Sequence, residues 1–106
     1  MSTRSAQEVL DHHVEALMAG DLDAILSDYA DDAVMISPMG VAKGHEALGG
    51  MFGAIPTEFW EGFEITQQNC EGEIAYMVWK TDSISSGSDT LIVRDGLVVG
   101  QTVVMA

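Results

Sequence analysis

The sequence predicts one small α+β domain, a curved and mainly antiparallel sheet around an apolar pocket, with helices closing its open face. Three observations predict it. Apolar residues recur at helical spacing as far as Ile55, β-branched and aromatic residues alternate from Phe59 onward, and turn signals cut that second half into four strands. Helices first and strands afterwards indicate segregated layers, with helices on one face of the sheet. A chain of 106 residues supports one core, so a single domain over 1–106 is expected.

Ser5 and Glu8 have capping-box spacing, and Leu10, His13, Val14 and Leu17 follow at i, i+3, i+4 and i+7. This predicts a first helix that ends at Gly20. Asp21 caps a second, in which Leu22, Ile25, Leu26 and Tyr29 repeat the spacing. The run from Ala33 to Ser37 is a first strand stopped by Pro38, and Gly40 and Gly44 mark a turn. Leu48, Met51, Phe52 and Ile55 form a third helical stripe, thinned by glycines and ended before Pro56. Breaks near Glu71-Gly72, Ser85-Ser86-Gly87 and Asp95-Gly96 then delimit a meander. Its strands are expected at about Phe63–Cys70, Ile74–Ser83, Asp89–Arg94 and Leu97–Met105.

Seventeen acidic residues against four basic ones give a formal charge of −13. Such a surface repels phosphate backbones and anionic membrane faces, so neither nucleic acid nor membrane is an expected partner. The same excess is what keeps a small protein soluble. Cys70 is the single cysteine and no apolar leader-like stretch opens the sequence, so a cytoplasmic protein is expected. No apolar run approaches the length of a membrane span.

The segments from Ala16 to Ile25, Tyr29 to Ala33 and Lys43 to Leu48 resemble the nuclear-transport-factor-2-like superfamily, a cone-shaped, cystatin-like fold. Within it the ketosteroid-isomerase and SnoaL-like branch is nearest, and the resemblance continues through Glu64 to Gln67 and Asp89 to Gly96. It implies the fold more than the reaction, because isomerases, cyclases, hydrolases, dehydratases and non-catalytic members all share that fold.

His13 lies between Leu10 and Leu17 on the apolar stripe of the first helix, so its imidazole faces inward. It is either a core histidine satisfied by a carbonyl or water, or a pocket residue. By the resemblance it stands where ketosteroid isomerases carry the tyrosine that donates to the developing enolate oxygen. Asp89 then falls at the family's second oxyanion donor, an aspartic acid that its apolar site keeps protonated. Period-2 alternation puts Asp89 on one face with Leu91 and Val93, an apolar and desolvating face. The alternative is a turn residue that begins a strand and points to water.

Ser37 precedes Pro38, where the resemblance places the aspartate that shuttles the proton between carbons. A serine hydroxyl without an adjacent base cannot abstract a carbon-bound proton at neutral pH, which argues against steroid isomerisation. Phe52 stands where some members have a further tyrosine, while Tyr29 retains an aromatic at the matching second-helix position and reads first as a core residue with its hydroxyl at the rim. His13, Asp89 and a water also suggest another machine, with an ionised Asp89 orienting His13 as a general base.

Trp60, Trp79 and several methionines are bulk of the kind that lines adaptable hydrophobic cavities, or simply core. The candidate ligand contacts are Tyr29, Met35, Phe52, Trp60, Trp79 and Leu91. Met77 and Trp79 alternate with Tyr76 and Val78, and the pattern leaves open which pair faces inward. Adjacent His12 and His13 diverge by about 100° on a helix, and no phosphate loop, nucleophile elbow or paired-cysteine motif occurs, so neither metal nor cofactor is expected.

These residues suggest a SnoaL-like enzyme acting on a small hydrophobic molecule through His13 and Asp89, with Ser37 at the third position. The alternative is a non-catalytic ligand-binding or dimerisation module. Apolar residues on both faces of the last strand, among them Val98, Val99, Val103 and Val104, suit a homodimer formed through the sheet.

Overall fold

The computed structural model describes residues 3–106. Helix α1 spans Ala6–Ala19, with Ser5 and Glu8 closing a reciprocal capping box and Gly20 in the left-handed conformation at its end. Helix α2 spans Leu22–Ser27 and is capped by the Asp21 carboxylate, which accepts from the Ala24 amide. Strand β1 covers Tyr29–Ser37 and strand β2 Gly40–Lys43, followed by helix α3 over Gly44–Gly53 and a 3₁₀ turn over Thr57–Trp60. The remaining strands are β3 Glu64–Glu71, β4 Ile74–Lys80, β5 Gly87–Arg94 and β6 Leu97–Met105.

One six-stranded sheet results, in the order β2-β1-β6-β5-β4-β3. All its pairings are antiparallel except that of β1 with β6, where Val34 lies beside Gly100 and Ile36 beside Thr102. Register shifts between Ile65 and Gln67, and between Ile92 and Val93, mark irregularities of the bulge type that bend a sheet. Asp95 and Gly96 both have positive φ, the primed two-residue turn that matches strand twist and joins β5 to β6.

Three elements depart from the expectation. Tyr29 opens β1 rather than ending α2, because the helix stops at Ser27 and the buried Asp28 turns the chain, its carbonyl accepting from the Val98 amide. The segment after Pro38 is a hairpin, not merely a turn, since Gly40–Lys43 returns along β1 with Val41 opposite Ile36. Strand β4 ends at Lys80 rather than Ser83, because the Thr81 hydroxyl accepts from the Ser83 and Ile84 amides and folds the chain away.

The helices cover one face of the sheet. Val9 and Leu10 of α1 and Leu48 of α3 are sealed against Met77, Leu91 and Val98 of the sheet in one core. Ala75, Met77 and Trp79 point into it, which settles the open question for β4, and Tyr76 and Val78 take the outer face. Among the described residues no helix is long and apolar enough to cross a membrane.

Candidate functional site

A cavity of about 240 Å³ lies between the concave face of the sheet and the helices. Leu17 of α1, Met51 and Phe52 of α3, and Phe59, Trp60 and Phe63 from the connection that follows form one side. Met77 and Trp79 of β4 and Val103 and Met105 of β6 form the other. Among the described residues the polar side chains that reach it are His13, Ser37, Asp89 and Gln101, beside the indoles of Trp60 and Trp79. Its volume falls below the ~300–1,000 Å³ usual for drug-sized ligands.

Helical spacing aims His13 inward, where its ring meets Tyr29 and Phe52 edge-on at centroid distances of 5.7 and 6.1 Å. The residue is 0% exposed, and among the described residues neither ring nitrogen has a hydrogen-bond partner. Burial pushes its pKa down to about 4 against the opposing pull of Asp28, so the imidazole is neutral near pH 7. A buried polar group without a protein partner is costly, so its lone pair and N–H call for another molecule, water included.

Asp89 is 6% exposed and faces inward from β5, on one side of the strand with Gly87 and Leu91. Its Oδ1 accepts from the Trp79 indole N–H at 2.9 Å, and its Oδ2 from the Gln101 amide at 3.0 Å. The Gln101 carbonyl oxygen in turn accepts from the Tyr29 hydroxyl. Burial raises the Asp89 pKa to about 6, and the two donors pull it back. Two N–H groups aimed at its oxygens favour the carboxylate, the form that leads near pH 7 for a group with a pKa of about 6.

His13 and Asp89 border the same space without a hydrogen bond between them, so Asp89 does not orient the imidazole. Ser37 also borders the cavity at the end of β1, but its oxygen accepts from the Met39 amide within the turn. No base adjoins its hydroxyl among the described residues. Met35, Phe52, Trp60 and Trp79 line the cavity, whereas Leu91 is buried outside its lining and Tyr29 reaches the site through Gln101. Among the described residues no three metal-ligating side chains converge.

The profile of the SnoaL-like domain matches residues 10–101, nearly the whole chain. The chain belongs to the SnoaL-like family. A SnoaL-like protein of unknown function from Burkholderia thailandensis shares this fold at a TM-score of 0.80 and 26% identity, over 95% of this chain and 94% of that one. A nuclear-transport-factor-2-like protein of unknown function from Burkholderia xenovorans does so at 0.81 and 25% identity, over 95% and 82%. A proposed polyketide cyclase from Sinorhizobium meliloti has the same fold at a TM-score of 0.80 and 18% identity, over 90% and 92% of the two chains. No curated protein matches the sequence.

In this SnoaL-like domain the residue that sequence reasoning missed is Gln101. It ties the Tyr29 hydroxyl to the Asp89 carboxylate from the middle of β6. The signal was present as an amide two positions from Val103 and four from Met105, on the strand face that turns inward.

Proposed function

We propose that this SnoaL-like domain is a small-molecule enzyme in which Asp89 serves as a general base toward an uncharged, ring-bearing apolar compound. The observation that carries this reading is a buried carboxylate with a pKa of about 6, held by two N–H donors at the wall of an otherwise greasy cavity. A base of that strength is ionised at neutral pH and still accepts a proton readily. The neutral His13 imidazole has an N–H to offer an oxygen on which charge develops. Among the described residues no lysine or arginine lines the cavity, which disfavours carboxylates and phosphates as ligands. The reactions this suits are enolisation, ring closure through a stabilised carbanion, and attack by an activated water.

A second reading, ligand binding without turnover, draws on Ser37, whose hydroxyl is engaged with the Met39 amide where family isomerases carry their base. One probe separates the two. 5-Nitrobenzisoxazole is a small aromatic carbon acid, and loss of its C–H proton to a base breaks the N–O bond and releases a coloured nitrophenolate. The enzyme reading expects saturable turnover that rises with pH through about 6 and is abolished in Asp89→Asn. Turnover that falls across that range would assign Asp89 as a protonated donor instead. Binding with no acceleration would leave the module reading standing.

The outer face of the sheet carries exposed Ile36, Val41 and Val104. We propose that a second copy of the chain covers this face, and sedimentation of the wild type against Val41→Lys reads it directly.

A further inference from the structure

Trp79 and Gly87 are direct partners across β4 and β5, and both lie on the inner face of the sheet. The indole lies flat over the glycine. A Cβ built on Gly87 would sit 2.3 Å from Cζ2 and 2.4 Å from Cε2 of Trp79, far inside van der Waals contact. The φ of Gly87 is not positive, so its backbone accepts any residue, and what requires glycine here is the ring above it. Cε2 is bonded to Nε1, the atom that donates to Asp89 two residues further along β5. The ring thus runs diagonally from the bare backbone of Gly87 to the carboxylate.

We propose that Gly87 is a positioning residue for Asp89: its missing side chain lets the Trp79 indole lie across β5 and deliver an N–H to the carboxylate, which sets how tightly Asp89 holds a proton. The catalytic consequence rests on the reading of Asp89 as the base; the titration itself does not. A Cβ at this position lifts the ring off the strand and takes the N–H out of reach. The carboxylate then loses one of two charge-assisted hydrogen bonds, and its proton affinity rises.

The other groups around Asp89 do not supply this control. His13 of α1 shares the cavity and Tyr29 of β1 connects through Gln101, and both are uncharged between pH 5 and 8. Neither β4 nor β6 presents a titratable side chain to the cavity, and neither does α3 or the segment from Phe59 to Phe63. The indole and the Gln101 amide are the donors left to tune it.

The test is the Asp89 titration, followed by NMR of its side-chain carboxyl carbon in the full chain without ligand. Gly87→Ala is expected to raise the midpoint by about one pH unit, the scale of one charge-assisted hydrogen bond. The Trp79 indole N–H resonance should move with it. Trp79→Phe, which keeps a ring and loses the donor, should give the same rise, and adding Gly87→Ala to Trp79→Phe should raise it no further. Because a phenyl ring is smaller, the double variant should also fold if Gly87→Ala alone does not. An unshifted midpoint in Gly87→Ala, an equal additional shift in the Trp79→Phe background, or a double variant no more foldable than an unfolded Gly87→Ala would each overturn the proposal. A normal set of shifts with no turnover of the nitrobenzisoxazole would leave this assignment intact and remove only the enzyme reading.

Discussion

His13 and Asp89 are buried in one core with pKa values displaced in opposite directions, so acid should act on them in opposite senses. The histidine moves from 6.5 when exposed to about 4 in the fold. As pH falls below 6.5 the unfolded chain takes up a proton that the folded one refuses. Its contribution is therefore present above 6.5 and lost as pH falls toward 4, a loss of about 3 kcal/mol at ~1.4 kcal/mol per pH unit. Asp89 moves from 3.8 to about 6. Here the folded chain takes up the proton first, so the stabilisation is complete below 3.8 and lost as pH rises through 6, again about 3 kcal/mol.

Between pH 6.5 and 4 the two effects should nearly cancel in the wild type. Urea denaturation across that range, compared with Asp89→Asn and His13→Leu, exposes each alone. Relative to wild type, Asp89→Asn should lose about 3 kcal/mol on going from pH 6.5 to 4, and His13→Leu should gain about as much. Differences are the quantity to read, because the surface carboxylates titrate alike in all three proteins. Curves that stay parallel for wild type and both variants would refute the reasoning, since the two groups would then carry ordinary proton affinities.

Tyr29→Phe leaves the buried Gln101 carbonyl oxygen without its donor and should cost about 1–3 kcal/mol, visible as a fall of ~5 °C or more in Tm by circular dichroism. Asp28, wholly buried, accepts from Arg4 and His12 at 2.8 Å each. Asp28→Ala should destabilise by about 3 kcal/mol in urea, and a loss below ~1 kcal/mol would show those contacts to be idle. Ser5→Ala opens the capping box of α1; hydrogen exchange in its first turn should accelerate about fivefold, matching the ~1 kcal/mol of a lost cap.

Where one local cause determined a segment, the sequence disclosed it. The capping box placed α1, Pro56 bounded α3, and Asp95-Gly96 located the β5–β6 turn, each through chemistry confined to a few residues. Tyr29 misled because its distance from Ile25 and Leu26 suits a helix as well as the end of one, and only the Asp28 contacts with Arg4, His12 and Val98 decide the matter. Strand β2 was hidden because four residues that start on one glycine and stop before another carry no period of their own and pair only once β1 is in place. In the site, His13 and Asp89 were legible as polar residues on apolar faces. Gln101 and the indole N–H were not, because their importance lies in contacts across strands that one-dimensional spacing does not encode.

The pairing of β1 with β6 has a consequence for biosynthesis. Val34 leaves the ribosome long before Gly100, its neighbour in the sheet. Until the final strand emerges, the nascent β1–β2 hairpin carries an open edge with exposed Ile36 and Val41 beside it. Segments that stop short of β6 should therefore stick to one another or to chaperones, and completion of the sheet should be governed by one long-range closure.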